Sequence, residues 1–280
     1  MEAFEKIGKN CNIQVKNLEV GQGVVIGDNV SISCDTFKIG DNSVIGNNVK
    51  ITCTSFECDD WLFMLHGVEV GRGGCNGPNS YVKIGKHVGI FENTIINPSE
   101  KIEIGDNVGI GAEVMIWTHG AWLDIMKGFP SDFGPVKIGN DVWLPARSIV
   151  LPNVEIGDNT VIGIGSIINR DLPSGCFAAG SPCKVIREDC YPVELSDESK
   201  YDILADIVKT WLKLLEFKGF KASISVEPEQ LILDRMGIKT IFNIKKRTIE
   251  GFEDQISEDL RDYLRRRGIK IFTKNLFKSI

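Results

Sequence analysis

The 280-residue chain has no apolar run near the ~18 residues needed to cross a bilayer. Its first residues, MEAFEKIGKN, contain no apolar stretch of an export signal. Neither a membrane protein nor a secreted one is expected, and the expected setting is cytoplasmic. The eight cysteines form no C-x-x-C pair, which argues against a zinc ribbon or a redox dithiol. In a reducing compartment they should remain thiols, most of them small core residues. A net charge of −6 lacks the basic excess of a nucleic-acid binder. Histidine is scarce, with only His66, His87 and His119, so a base or a metal site has few candidates.

Glycine is abundant instead, at 29 residues, above the roughly 7 % of average usage. An internal period explains it. Aliphatic residues recur at every sixth position: Val20, Ile26, Ile32; Ile39, Ile45, Ile51; Ile84, Ile90, Ile96; Ile104, Ile110, Ile116. The longest run is Ile138, Leu144, Val150, Ile156, Ile162, Ile168. Gly often follows, and a small or β-branched residue stands four positions on. Neither a helix of period 3.6 nor an alternating strand produces a period of six. A parallel β-helix does, each hexapeptide being one short strand and one corner. Corners with positive φ suit Gly, Asn and Asp, which accounts for the I-G-D-N and I-G-N-N tetrads. A coil cannot bury its apolar face alone and must stack on its neighbours.

The stretch VKIGNDVWLPARSIVLPNVEIGDNTVIGIGSIINRDLPSGCFAAGSPCKVIRED resembles the C-terminal coils of galactoside, maltose and related sugar O-acetyltransferases. The resemblance covers residues 84–190 closely and residues 7–51 by repeat pattern. It implies a left-handed parallel β-helix over residues 1–190, a homotrimer with active sites between subunits, and acetyl-CoA as co-substrate with no metal. The expected fold class is mainly β, with a small α+β domain over residues 195–280.

In-phase repeats halt at about 52–83 and 117–137, and both stretches are expected to be inserted loops, the usual carriers of function on a rigid scaffold. Past Tyr191 the repeats end. Ser196 should cap a helix with apolar residues at Ile203, Ile207, Trp211, Leu214 and Leu215. KASISVE, QLILDRM and KTIFNI are expected as strands, FEDQISEDLRDYLRRR as a second helix and IKIFT as a last strand.

His119, three residues past the in-phase Ile116, stands at the mouth of the second loop. In the family it resembles, a catalytic histidine stands at such a place, about one coil ahead of an I-G-x-x-V-W motif, here Ile138–Trp143. The chemistry needs one, because a sugar hydroxyl is a poor nucleophile and a neutral imidazole can take its proton. A covalent cysteine route is disfavoured, since no cysteine is near His119 in sequence, although folding could bring one close. Asn93, His66 and Asp60 are candidates for holding the acceptor, while His87 is expected at the surface. For acetyl-CoA the resemblance implies Trp143, the backbone about Ala146, and Ile164-Gly165-Ser166 one coil on, with Lys184 and Arg187 facing the adenosine phosphates. Pro145 and Ile164 depart from the family's usual Gly and Ala, and Arg147 adds a charge at that rim.

Other readings share the scaffold. A three-histidine zinc site, as in γ-type carbonic anhydrases, needs two histidines a few residues apart, which this chain lacks. A nucleotidyltransferase needs a preceding Rossmann-like domain, whereas the repeats begin by Ile7. A non-enzymatic β-helix scaffold stays open. Among acetyltransferases, a sugar hydroxyl is the leading acceptor and the amine of a nucleotide sugar or another small metabolite the alternative. The clusters Lys245-Lys246-Arg247 and Arg265-Arg266-Arg267 are either solvated faces or docking points for an acidic acceptor.

Overall fold

The structure is a computed structural model that describes residues 4–235, 237–275 and 277. The start of the expected first domain (residues 1–3), the end of the expected second (residue 276 and residues 278–280) and Met236 of the expected QLILDRM strand lie outside the described residues. The chain divides into two compact units, Met1–Pro192 and Val193–Ile280.

The first unit is a left-handed parallel β-helix of about nine turns. Each turn has three faces. The first face is a ten-stranded sheet of short rungs, from Lys6–Ile7 through Val44–Ile45, Gly109–Ile110 and Trp143–Leu144 to Phe177–Ala179, closed by antiparallel Lys184–Arg187. The second face holds Glu69–Val70, Ile95–Asn97, Met115–Trp117, Ile149–Val150 and Ile167–Ile168. The third holds Tyr81–Ile84, Ile102–Ile104, Val136–Ile138 and Val154–Ile156. Near the N-terminus the second and third faces merge, because Asn12–Val20, Ser31–Ile39 and Lys50–Cys58 each run through both. The sixth-position aliphatics form the core: Ile26, Ile45, Ile90, Ile110, Leu144 and Ile162 stack at 2 % exposure or less.

The I-G-D-N tetrads have a cause beyond positive φ. At the corner from the third face to the first, each carboxylate or amide oxygen accepts a backbone N–H from the preceding coil. Asp41 accepts from Gln22 at 2.8 Å, Asp106 from Lys86 at 2.7 Å, Asn140 from Asp106 at 2.8 Å and Asp158 from Asn140 at 2.6 Å. The Asn that follows turns the chain at positive φ, as at Asn42 (54°) and Asn107 (55°). The polar residues thus satisfy backbone donors that the corner would otherwise orphan.

The expected loop at 52–83 is a correction. Residues 52–70 complete another coil, and Cys58, Met64 and Val70 take the core positions. The period was hidden because Ile51 to Cys58 is a step of seven and because Cys and Met replace Ile. Only the segment from Gly71 to Ser80 leaves the helix. The second insertion, from Thr118 to Pro135, leaves from the same corner, between the second and third faces. Six of the cysteines are buried, and all eight are free thiols. Burial pushes the Cys58 thiol up to about 12, as expected of an inert core thiol.

The second unit packs two helices with a four-stranded antiparallel meander, Ser223–Glu227, Gln230–Arg235, Ile238–Asn243 and Thr248–Gly251. Helix α1 (Asp197–Phe217) is capped by Ser196, and α2 (Gln255–Arg265) by Asp254. Trp211, buried in α1, donates its Nε1–H to Asp259 at 3.0 Å, and Lys218 pairs with the same carboxylate at 2.6 Å. Thr248–Gly251 was not anticipated, and IKIFT is not a strand. Ile271 is buried there, but its carbonyl accepts from the Arg261 guanidinium at 3.0 Å instead of from a neighbouring strand. Within the arginine cluster, Arg265 and Arg266 share one carboxylate, that of Asp262, at 2.8 and 2.7 Å. Among the described residues, no helix is long and apolar enough to cross a membrane.

Candidate functional site

His119 sits where the chain leaves the second face. It pairs antiparallel with Phe133, so the second loop begins and ends as a short ribbon. The Gly134 N–H donates to the Thr118 carbonyl at 3.0 Å, closing the loop's neck. The half-buried imidazole stacks on Phe133, centroids 5.6 Å apart, and meets Trp117 edge-on at 6.1 Å. Its Nδ1 lies 2.9 Å from Ser99 Oγ and 3.0 Å from Asn97 Oδ1. Thr118 locks the neighbouring backbone: its hydroxyl donates to the Asn97 carbonyl at 2.7 Å and accepts the Glu100 N–H at 2.9 Å. Cys75, in the first loop, lies 3.9 Å from Ser99 Oγ, so folding does bring a thiol toward the site.

Neither Asn97 nor Ser99 was singled out from the sequence, yet the signal was present. Ile96 and Ile116 stack one coil apart, a step of twenty residues, and the same step from Ser99 reaches His119. In a β-helix the neighbour above is found by adding one coil, whatever the residue type.

The three acceptor candidates do not gather around His119. Asp60 belongs to the ladder between the third and first faces: it accepts the Asp41 N–H at 3.0 Å and pairs with Lys86 at 3.3 Å. His66 stands between the first and second faces, where its Nδ1 accepts the Asn47 N–H at 2.9 Å, the task Asn47 performs for Asp28. Asn93 turns that same corner one coil later, at φ 57°. All three serve corner geometry in this chain, and they stand at the two corners other than the one that bears His119. His87 is another corner residue, at φ 61°.

The cofactor candidates do gather. Trp143 is on the first face with 59 % of its surface exposed. Ala146 and Arg147 turn the next corner, and Gly165 stacks on it, its N–H donating to the Ala146 carbonyl at 3.1 Å. Ile164 stands out at 74 % exposure beside it. Lys184 and Arg187 are exposed on the terminal strand of the same first face. Two candidates are committed elsewhere. Arg147 pairs with Glu113 at 2.6 Å, an exposed pair that raises the arginine's pKa and is weak enough to exchange for another anion. Ser166 is fully buried and bonded to the Gly163 carbonyl at 2.6 Å and the Gly180 N–H at 3.0 Å, so it shapes the corner instead of facing a ligand. Among the described residues, no three of His, Cys, Asp and Glu are grouped to hold a metal ion.

Residues 135–170 match the family of bacterial transferase hexapeptides (six repeats), and residues 17–53 that of the hexapeptide repeat of succinyl-transferase. A galactoside O-acetyltransferase of Escherichia coli is 39 % identical over 111 residues, covering 39 % of this chain and 55 % of that protein. A putative acetyltransferase of Saccharomyces cerevisiae is 41 % identical over 112 residues, 39 % of this chain and 57 % of its own. The chain thus spans about half the length of these relatives. The solved UDP-N-acetylglucosamine acyltransferase of Campylobacter jejuni superposes over 76 % of this chain and 82 % of its own, with a TM-score of 0.52 and 18 % identity; this likeness concerns the fold.

Proposed function

We propose that the β-helical part of this chain, whose residues 17–53 and 135–170 match hexapeptide-repeat families, moves an acetyl group from acetyl-CoA to a hydroxyl of a saccharide acceptor, with His119 as general base. The observation that carries the reading is the placement of His119. A half-buried imidazole, walled by two aromatic rings, stands at the neck of an inserted loop. Such a ring can take the acceptor's proton as its oxygen attacks.

The chain's own residues fit acetyl-CoA. The proposed path follows the corner of Ala146 and Gly165, where a Cβ on Gly165 would meet nothing within 4 Å, and Trp143 and Ile164 offer exposed apolar surface beside it. Lys184 and Arg187 supply positive charge at its far end. This path and His119 lie on different corners of one chain, so a complete site needs a second copy, in keeping with a homotrimer. The second loop offers apolar surface for that contact, with Trp122 at 95 % and Met126 at 90 % exposure.

The test is to incubate the protein with acetyl-CoA and a panel of sugars, nucleotide sugars and amino acids, following release of the CoA thiol. Release that requires a sugar hydroxyl supports the proposal. Release only with an amino sugar replaces it by N-acetylation. No release and no CoA binding leaves a scaffold. Trp143→Ala is expected to weaken CoA binding about 10- to 100-fold, the worth of one large apolar side chain. Unchanged affinity in a calorimetric titration would remove Trp143 from the site.

A further inference from the structure

We infer that Asn97 is the positioning residue that fixes the tautomer of His119, braced by Ser99, so that the ring presents an unprotonated Nε2. The inference deepens the reading of His119 as base and rests on it for its functional consequence.

Asn97 is fully buried. Its Nδ2 donates to the Arg72 carbonyl at 2.9 Å, which sets the orientation of the amide. With nitrogen and oxygen exchanged, two acceptors would face each other at that distance. The Oδ1 therefore faces the ring, 3.0 Å from His119 Nδ1. An amide oxygen has no proton to give. The contact is a hydrogen bond only when Nδ1 carries the proton, and in the neutral ring the lone pair is then on Nε2, at the far side of the imidazole.

Ser99 agrees with this. Its hydroxyl donates to the same Oδ1 at 3.1 Å and accepts from Nδ1–H at 2.9 Å. With its proton committed to Asn97, Ser99 is not a nucleophile activated by His119. Cys75 is similarly committed, its thiol donating to the Gly73 carbonyl at 3.2 Å. Four groups on three successive second-corner segments, from Arg72 to His119, thus converge on one proton assignment.

The direct test is long-range ¹H–¹⁵N correlation of the histidine rings in the full chain, without substrates, at a pH where the rings are neutral. Only three histidines contribute, and the spectrum of His119→Gln assigns the signal. The expected result is protonated Nδ1 and bare Nε2. Asn97→Leu should shift the ring toward the other tautomer and lower kcat about 100-fold or more with KM for acetyl-CoA little changed; in the serine-protease template a wrong tautomer costs about 10⁴. Asn97→Asp keeps an acceptor for Nδ1–H and should therefore keep the wild-type tautomer, but it sets a second acceptor against the Arg72 carbonyl, so only part of the loss in kcat should be recovered. A wild-type ring protonated on Nε2 overturns the inference without any variant. So does Asn97→Leu with both tautomer and kcat unaltered. Because the spectrum needs no turnover, the proposed function can fail in the acceptor panel while the tautomer assignment stands.

Discussion

His119→Ala is expected to lower acetyl transfer by about 10²–10⁴-fold, the usual worth of a positioned general base, with the affinity for CoA unchanged. The two halves of that expectation come from different corners of the β-helix. The ring stands at the neck of the second loop, between Trp117 and Phe133, whereas Trp143, Ala146, Ile164 and Gly165 mark the proposed CoA path on the first face and its corner. Removing the imidazole leaves that path intact. It also leaves the neck closed, because the Thr118 and Gly134 bonds that close it do not involve the ring. Release of CoA thiol with the productive acceptor measures the first half, calorimetric titration the second, and circular dichroism checks that the variant folds. A variant with full turnover would eliminate His119 as the base. A variant that has lost CoA affinity would place the ring in the cofactor path and argue for a different packing of the loop.

What was legible in the sequence followed the strength of each local pattern. The aliphatic columns read directly, since six residues make one face and the phase holds from Ile138 to Ile168. Where the core used other residues it did not. Cys58, Met64 and Val70 each lie in the buried column of the isoleucine above, Ile84, Ile90 and Ile96, but Cys and Met replace Ile and the step from Ile51 to Cys58 is seven, so a whole coil reads as a loop. The role of His119 as base is the proposal; its place at the mouth of the second loop, after Ile116, was legible. Asn97 and Ser99 were not, because their role depends on stacking one coil away and not on any local motif. His66 and Asp60 show the converse. Their residue types suggest chemistry, yet each fills a corner position whose backbone donor requires an acceptor, a demand visible only once the coils are superposed. In the second unit the helix start at Ser196 was legible from its cap, while IKIFT was misjudged because an arginine side chain, not a strand, satisfies Ile271.

Gly71 ties the fold to the site, and Gly71→Ala is expected to cost about 2–5 kcal/mol of stability. Two terms contribute. The residue has φ +90°, a region in which an L side chain is disfavoured by roughly 1–2 kcal/mol. A Cβ there would also fall within the carbonyl oxygen of Thr52, one coil below, and relieving such overpacking typically costs about 1–3 kcal/mol. Gly73 separates the terms. It also has positive φ, at 72°, but a Cβ there meets nothing within 4 Å, so Gly73→Ala should cost only the conformational part. The difference in unfolding free energy between the two variants measures the steric part. Equal losses would mean that the Thr52 segment yields freely and that the N-terminal coils are softer than their packing implies. A functional consequence accompanies the steric one. Gly71 directs the chain into Arg72, whose carbonyl holds the Asn97 amide. The Gly71 variant should therefore also lose turnover at temperatures where it remains folded, while Gly73→Ala, beyond that carbonyl, keeps it.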